Sequence, residues 1–393
     1  MNKKTIIAIS LIAFLYGCET KGQERSPLVI DEIITLSAQQ GSGNEEQGQI
    51  STANFNDQTR GIKVSQDYYA LAESINNYLI SKSYNGTALV SIGDEVILSK
   101  GYGFSNIEDN EPMSVDKKFQ IASVSKSFVA VSILQLMEQG KLALNDTVGK
   151  YLTDIPNGSS FTIHNLLTHT SGLVADESLS NYSNKIEVED LVARAFQPSN
   201  LRFEVGSTTS YSNLGYDLLG LIVEKASGLL YEDYLKKNIF EPLGMKDSGL
   251  NLDGKALGNM ATAYNGGIEE GYNAKIFHPS FGYSSGGIHS TATDLHKYER
   301  ALANNTLISK ESYDLMAQTQ TNIGSKEYGY GWYTNTWIDN IVSHPGNLVG
   351  WHSMLLRHND DKVSVILLTN HDNSDMNMAY TIAQSVLANT ERE

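Results

Sequence analysis

A serine three residues ahead of a lysine stands in the run FQIASVSKSF, and this pair could form the core of a nucleophilic site. The pair is Ser123 and Lys126, and the segment after it repeats apolar residues at helical spacing up to Gly140. On the first turn of that helix, Lys126 would lie on the same face as Ser123, near enough to accept or guide the hydroxyl proton. Ser123 is also a suitable N-cap for the helix, so its position alone leaves both roles open.

The same spacing recurs at Ser114 and Lys117, within PMSVDKKF. A serine-lysine pair at this separation should occur on the order of once in a chain of this length by chance, so the spacing by itself is a weak signal. No long apolar helix follows the second copy, and a nucleophile needs a rigid support. We therefore interpret Ser114 as part of a polar turn.

A tyrosine and an asparagine two positions apart, Tyr211 and Asn213, supply a second group of candidate residues. They precede LGYDLLGLIVEKASG, which has the apolar periodicity of a helix. Tyr211 could take the serine proton if a neighbouring Lys126 lowered its pKa, and the Asn213 amide could hold a substrate carbonyl. The same pattern occurs at 182–184 and 333–335, so spacing alone does not select this copy.

The third candidate is His344, which lies with Pro345 and Gly346 at the end of the strand-like segment NIVSHPG. An edge strand that carries a donor side chain, followed by a glycine that allows close backbone approach, suits a substrate lying alongside it. With the usual pKa of about 6.5, the imidazole would be positively charged only in mildly acidic solution. The alternative is an exposed histidine in a turn.

Taken in order, Ser-x-x-Lys, Tyr-x-Asn and His-x-Gly resemble the serine β-lactamase and penicillin-binding-protein family, in its class C-like branch. The similarity runs from about residue 66 to residue 387, and several blocks in one order are more specific than any single triplet. The resemblance implies a β-lactamase/transpeptidase-like fold and acyl-enzyme chemistry without a cofactor. The blocks that carry it are FQIASVSKSF (119–128), TIHNLLTHTSGL (162–173), SSGGIHSTATDL (284–295), YGYGW (328–332) and HPGNLVGWHS (344–353).

The resemblance implies a role for each matching position. Ser123 would be the nucleophile that forms the acyl-enzyme, and Lys126 and Tyr211 would be the pair that handles its proton. Asn213 would contact an amide of the substrate.

On the strand, the resemblance implies that the backbone N–H groups of Ser123 and Asn347, just past Gly346, are the oxyanion donors. His344 would face the carboxylate or the leaving group of the substrate. The better-known Lys-Thr-Gly of the family is replaced here by His-Pro-Gly, and a β-lactamase of this class usually offers a permanently charged lysine at that position. The replacement favours a peptidase or an esterase over a dedicated β-lactamase.

The elements that must position these residues follow from periodicity. Residues 64–83 have helical spacing, and GTALVSIGDEVILSKGYG predicts a hairpin around Gly93 and Asp94. Helical patterns and loops alternate over about 119–318, and the chain then returns to strands before a closing helix near Met376 to Leu387. Strands at both ends predict an α+β domain, in which an antiparallel sheet flanked by N- and C-terminal helices receives a mostly α-helical insertion.

The N-terminus has the pattern of an export signal. Lys3 and Lys4 precede an apolar run from Ile6 to Leu15 that is too short to span a bilayer comfortably, and Cys18, the only cysteine of the chain, follows in a string similar to a bacterial lipobox. We expect an exported protein, anchored by lipid on the periplasmic or surface side of the bacterial cell envelope. The predicted organisation is a lipoprotein signal peptide (1–17), lipidation at Cys18, a flexible tether (18–62) and a hydrolase domain (63–393).

The composition of the chain limits the classes of partner that we expect it to bind. The chain has 393 residues with 40% apolar content, enough for a large core, and its net charge of -16 argues against nucleic acid. It has neither an H-E-x-x-H motif nor a cysteine cluster, so we expect no metal. The expected partners are a small-molecule or peptide acyl substrate, with peptidoglycan as a further candidate, and the membrane through the lipid anchor.

Together these patterns favour a serine hydrolase that cleaves amide or ester bonds, either peptidase- or carboxypeptidase-like on D-amino-acid substrates or esterase-like. The enzymatic alternative is a class C-type β-lactamase, and the non-enzymatic one is a penicillin- or peptidoglycan-binding lipoprotein without turnover. A rival nucleophile is Ser284, because residues 282–286 fit G-x-S-x-G. Pro279 and the glycines that follow Ser284 argue against the strand-turn-helix which that motif requires.

Overall fold

The computed structural model of the protein describes residues 68–155, 157–173, 185, 187, 201–254, 257–265, 278–360, 362–372 and 374–390. The predicted signal peptide, the predicted lipidation site Cys18, the tether and the Tyr-Ser-Asn copy at 182–184 lie outside these residues. Of the helices within them, none is both long and apolar enough to cross a membrane. The same residues contain no group of three His, Cys, Asp or Glu side chains that could hold a metal ion.

Most strands of the described residues belong to one large sheet. The strands are β1 (Gly86–Ile92), β2 (Glu95–Tyr102), β3 (Phe104–Asn106), β4 (Glu111–Pro112), β5 (Phe119–Gln120), β6 (Gly249–Leu250), β7 (Ile288–Ser290), β8 (Thr321–Ile323), β9 (Lys326–Tyr328), β10 (Tyr333–Thr334), β11 (Ile341–Leu348), β12 (Trp351–His358) and β13 (Ser364–Thr369). The large sheet is antiparallel, with the order β2-β1-β13-β12-β11-β10-β9-β8. Two small sheets, β3-β4 and β5-β7-β6, lie apart from it.

The helices fall into two groups, one from the ends of the domain and one from the long insertion between β4 and β8. They are α1 (Tyr69–Ser81), α2 (Ser125–Glu138), α3 (Ile163–Leu167), α4 (Asn213–Ser227), α5 (Tyr231–Leu235), α6 (Glu241–Leu243), α7 (Tyr283–Gly286), α8 (Ala292–Ala303), α9 (Lys310–Ala317) and α10 (Met378–Thr390). A π-helical turn (Lys236–Phe240) joins α5 to α6, and short 3-10 turns occur at Ala122–Val124, Val148–Lys150 and Pro279–Gly282.

The large sheet is covered on both faces, which explains why a strand such as β13 is buried at every residue. Successive side chains of a strand point to opposite faces. On β1, Ala88 and Val90 belong to the hydrophobic cluster that includes α1 and α10, whereas Leu89 belongs to the cluster of the helical insertion. On β13, Leu367 and Ile366 divide in the same way. The predicted α+β architecture is confirmed, with terminal helices on one face and the insertion on the other.

The local predictions hold where a pattern is long. The hairpin is confirmed, because β1 ends at Ile92, β2 begins at Glu95, and Gly93 between them has a φ of 54° that favours glycine. The predicted helix after Ser123 is confirmed as α2, but it is buried at every residue from Ser125 to Leu136, polar ones included, and not only along the predicted apolar stripe. The sheet β5-β7-β6 was not predicted, since strands of two or three residues leave no periodicity to detect.

Candidate active site

Ser123 lies in the 3-10 turn that leads into α2. The N-cap of α2 is Val124 and no side chain caps this end, so the reading of Ser123 as an N-cap is wrong. Ser123 is partly exposed between two buried neighbours. Ala122, one of these neighbours, has a φ of 48°, in the left-handed region that costs a residue with a side chain about 1 to 3 kcal/mol. The packing around the turn therefore holds Ala122, directly before Ser123, in a conformation that an alanine would rarely adopt alone.

Gly346 allows strand β11 to lie directly against the backbone that precedes Ser123. A Cβ atom at Gly346 would stand 2.2 Å from the Ile121 carbonyl oxygen and 2.2 Å from the Ser353 Oγ atom. Ser353 itself donates a hydrogen bond of 2.7 Å to the same Ile121 carbonyl. Strands β11 and β12 thus both contact the carbonyl of Ile121, just before the 3-10 turn that carries Ser123. Only glycine at position 346 leaves room for this contact.

We predict that Gly346→Ala slows the labelling of Ser123 by a fluorophosphonate at least about tenfold and destabilises the protein by about 1 to 3 kcal/mol, the usual cost of overpacking. Labelling rates by mass spectrometry and thermal melting would measure the two effects. Gly258→Ala is the matched control, because a Cβ there has no neighbour within 4 Å. Wild-type labelling in Gly346→Ala would contradict the close approach described above.

Lys126 is fully buried and directs its amine at Ser123. Its Nζ atom lies 2.8 Å from the Asn213 Oδ1 atom, 2.8 Å from the Ser285 carbonyl oxygen and 3.1 Å from the Ser123 Oγ atom. The first two oxygens can only accept, so they take two N–H groups of the amine. The remaining position of the nitrogen faces Ser123, where a neutral amine has its lone pair.

The burial of Lys126 also changes its charge. Desolvation lowers the pKa of Lys126 to about 7, and the negative charge of Asp217 opposes this shift. A substantial fraction of Lys126 is therefore neutral near neutral pH, and the neutral amine can accept the Ser123 proton.

Tyr211 has the opposite shift to the one expected from the sequence. Burial raises its pKa well above 10, and Lys126, whose Nζ atom lies 4.8 Å from the ring centroid, does not offset this. The prediction that Tyr211 takes the serine proton as a phenolate is wrong for this reason. Its hydroxyl is within hydrogen-bonding reach of Ser123 and keeps its proton, so it can donate to or relay between groups at the nucleophile.

His169 holds Tyr211 in place, and no role for this residue was predicted from the sequence. The imidazole stacks on the Tyr211 ring with centroids 4.5 Å apart and accepts a hydrogen bond of 3.0 Å from the Ser212 N–H through Nδ1. The His169 carbonyl accepts a further hydrogen bond of 3.0 Å from the Ser210 N–H. The only signal for it was its position inside the TIHNLLTHTSGL block.

His344 lies beside these groups, but it is neutral. The side chain is 1% exposed, its Nδ1–H donates to the Pro345 carbonyl at 2.7 Å, and its Nε2 atom lies 3.3 Å from the Tyr328 hydroxyl. Burial, helped by the charge of Lys126, lowers the pKa of His344 to about 3. The expectation that it is charged in mildly acidic solution is therefore wrong, and so is the alternative of an exposed turn histidine.

The backbone of Asn347 faces an open sheet edge. The Ile341 carbonyl accepts a hydrogen bond of 2.9 Å from the Asn335 N–H, so the backbone groups of Ile341 point toward β10. Because the backbone groups of successive strand residues point to opposite sides, every second residue after Ile341 points the same way. β10 pairs with β11 only as far as Ser343. Beyond that point Pro345 and Asn347 face the edge without a strand beside them, and Pro345 has no N–H. Asn347 therefore carries the N–H donor of this open segment.

The competing copies of each motif are engaged elsewhere. Lys117 forms an ion pair of 2.6 Å with Glu111, and its partner in the pattern, Ser114, lies in a turn. Ser284 is fully buried and donates its hydroxyl to the Tyr216 carbonyl at 2.9 Å, and a 3-10 turn rather than a strand precedes it. The Tyr-Thr-Asn copy at 333–335 begins on strand β10; its Tyr333 ring lies 5.4 Å from the His344 ring, but its Asn335 amide donates to Glu327 at 2.8 Å. Of the candidates, Ser123, Lys126, Tyr211 and Asn213 are brought together, and His344 and Gly346 lie beside them on β11.

This arrangement agrees with comparison to known proteins. Residues 72–389 match the sequence model of the family described as Beta-lactamase. The chain belongs to the β-lactamase family. It is 30% identical over 307 residues to the putative penicillin-binding protein PbpX of Bacillus subtilis, a match that covers 77% of this chain and 74% of that protein.

Solved structures of the family share its fold. The octameric penicillin-binding protein homologue from Pyrococcus abyssi superposes with a TM-score of 0.71 at 28% identity, covering 81% of this chain and 76% of that one. The D-amino acid amidase from Ochrobactrum anthropi, solved with D-phenylalanine, gives a TM-score of 0.73 at 22% identity, covering 83% of this chain and 99% of that one. At that level of identity the second comparison concerns the fold alone.

Proposed function

We propose that this member of the β-lactamase family is a serine hydrolase that cleaves ester or amide bonds through an acyl-enzyme on Ser123. Its preferred acyl donors carry no carboxylate next to the reacting group. The observation that carries the proposal is the buried Lys126 amine, which is 3.1 Å from the Ser123 hydroxyl oxygen and has its other contacts taken by acceptors. A purely structural lysine would not need a pKa near 7 beside a partly exposed serine.

In the acylation step, the Ser123 Oγ atom bonds to the carbonyl carbon of the substrate while its proton passes to the neutral Lys126 amine. The oxyanion formed would lie between the N–H groups of Ser123 and Asn347. As the bond to the leaving group breaks, the proton returns from Lys126 to the leaving group, and the Tyr211 hydroxyl lies on that path. Deacylation repeats these steps with water, which gives a proton to Lys126 and its oxygen to the acyl carbon, and Ser123 recovers its proton.

The state of His344 supports the substrate preference. A β-lactam and a peptide ending in D-alanine both carry a carboxylate next to the reacting group, and binding that carboxylate requires positive charge or strong donors. His344 stays neutral because its pKa is about 3, and its Nδ1–H is already given to the Pro345 carbonyl. A neutral ester, or an amide such as a D-amino acid amide, avoids the cost of bringing a carboxylate to this buried ring.

The test compares one peptide in two forms, a D-alanyl-D-alanine peptide with a free C-terminal carboxylate and the same peptide with a carboxamide end. We expect the carboxamide to be the better substrate, and the ratio of the two kcat/KM values to stay constant between about pH 5 and about pH 8, because an imidazole with a depressed pKa does not titrate there. His344→Lys should raise the ratio in favour of the carboxylate form about tenfold, the effect of one charge-assisted hydrogen bond.

The ratio cancels changes in nucleophile activation, which both forms share. A ratio that rises as the pH falls through about 6.5 would mean that His344 is charged in the complex and that the preference is wrong. Faster hydrolysis of a chromogenic cephalosporin than of an aryl ester would favour the β-lactamase alternative. A protein that is acylated at Ser123 by all of these compounds and releases no product would be the binding lipoprotein.

A further inference from the structure

Asp217 lies one helical turn beyond Asn213 on α4, so both residues face the same side of the helix. Asn213 accepts a hydrogen bond from Lys126 directly, at 2.8 Å. Asp217 reaches Lys126 through one intermediate residue: its Oδ1 atom accepts the Ser285 N–H at 3.0 Å, and the Ser285 carbonyl accepts from the Lys126 Nζ atom at 2.8 Å. One face of α4 therefore carries both Asn213, which bonds the Lys126 amine directly, and Asp217, which holds the Ser285 residue that bonds it.

The burial of Asp217 calls for an explanation, since carboxylates are rarely buried without a partner. The side chain is 3% exposed; burial raises the pKa of Asp217 to about 7, and the hydrogen bonds from Ser285 and the positive charge of Lys126 oppose this rise. α7, which carries Ser285, packs against α2 and α4 and separates the two charges by one residue of backbone. Asp217 is thus a counter-charge placed behind the lysine, where it does not compete with Ser123 for the amine.

We propose that Asp217 is a positioning residue for Lys126, which holds the Ser285 carbonyl against the amine and supplies the buried negative charge that stabilises the protonated lysine formed during acylation. The inference rests on the function proposed above. It assigns to Asp217 a part in the catalytic cycle without contact with the substrate.

The tyrosines and histidines around the pair remain neutral, so a pH profile can isolate it from them. Burial raises the pKa of each neighbouring tyrosine above its usual value and lowers the pKa of each neighbouring histidine. Lys126 and Asp217 therefore titrate near neutral pH as a coupled pair among uncharged neighbours. These neighbours are Tyr211, Tyr216, His169 and His344 around Lys126, and Tyr231 and Tyr283 around Asp217.

The decisive variant is Asp217→Asn in the full-length protein, which keeps an acceptor for the Ser285 N–H and removes the charge. Without the negative charge the protonated lysine is less stable, so the pKa of Lys126 falls. Because the neutral amine is the base, the acidic limb of the kcat/KM profile for an aryl ester should move to lower pH, by about one unit. Asp217→Ala, which also releases the Ser285 backbone, should show the same direction of shift and an additional loss of about tenfold in the plateau rate.

Glu224→Gln is the matched control. Glu224 lies on the same helix and accepts from the Tyr231 N–H at 2.9 Å and the Tyr283 hydroxyl at 2.8 Å, so its loss perturbs the same packing. The acidic limb of the control should stay in place, whatever its melting temperature. An unshifted limb in Asp217→Asn, or an equal shift in Glu224→Gln, would overturn the inference. Failure of the wild-type protein to be acylated at Ser123 would instead overturn the proposed function, so the two failures are distinct.

Discussion

Replacing Ser123 with alanine is expected to abolish hydrolysis of an aryl ester, with a loss of at least about 10⁴-fold in kcat, and to remove all covalent labelling by a fluorophosphonate. The loss is this large because, in the proposed mechanism, Ser123 provides the bond-forming oxygen, and among the described residues the Lys126 amine hydrogen-bonds to no other hydroxyl. Thermal stability should hardly change, since Ser123 is partly exposed and does not cap α2. Intact-protein mass spectrometry after labelling, together with initial rates, would measure both effects.

Two other serines serve as controls for this experiment. Ser114→Ala removes the serine of the second Ser-x-x-Lys copy, and Lys117 beside it is already paired with Glu111. Ser284→Ala removes the serine of the G-x-S-x-G pattern, whose hydroxyl is bonded to a backbone carbonyl. Both variants should be labelled at the wild-type stoichiometry. An adduct that maps to either of these serines would refute the site described here.

The second large effect is expected for Lys126→Met, which keeps an unbranched side chain and removes the amine. We predict a fall in kcat/KM of about 10²- to 10⁴-fold, the range for a lost general base. The residual activity should also lose its acidic limb near neutral pH, because the group whose pKa is about 7 is no longer present. Rates measured between about pH 5 and about pH 9 would show both changes.

Lys150→Met is the control for removing a lysine charge. The side chain of Lys150 is 55% exposed and pairs with Asp146 at 2.8 Å, and surface pairs of this kind contribute at most about 1 kcal/mol. This variant should keep the wild-type rate and pH profile. If Lys126→Met kept its acidic limb, another group would be the base, and the buried amine would have only a structural role.

Sequence periodicity was sufficient to predict those parts of the fold that depend on neighbouring residues. α2 and the β1-β2 hairpin have long apolar patterns and a glycine in a turn, so their local signals agree with their place in the fold. The contact between Ser123 and Lys126 was predictable for the same reason, since one helical turn separates them. The order of the strands in the large sheet follows from tertiary packing, and the sequence indicated only that distant segments must meet.

Charge states at the site could not be predicted, because they depend on burial rather than on residue type. His344 and Tyr211 were expected to have accessible charged forms, whereas desolvation shifts both pKa values away from them. In the sequence, Asp217 is one polar residue within an apolar helix pattern, and nothing there indicates a function for it. Ser285 takes part through its backbone, which any residue type would supply. Groups that act through main-chain atoms or through a shifted pKa become visible only when the packing is known.

The pairing of β1 with β13 limits the order in which parts of the protein can form during folding. Gly86 lies opposite Thr369, so two neighbouring strands of the sheet join the beginning of the domain to its end. Contacts between such distant segments form late and slowly, because the loop they close is long. Strand β11, which borders Ser123, is held through β12 to β13, and its alignment waits for the same event. A nascent chain that has already produced α2 therefore lacks the assembled candidate site until β13 has been synthesised and has paired with β1.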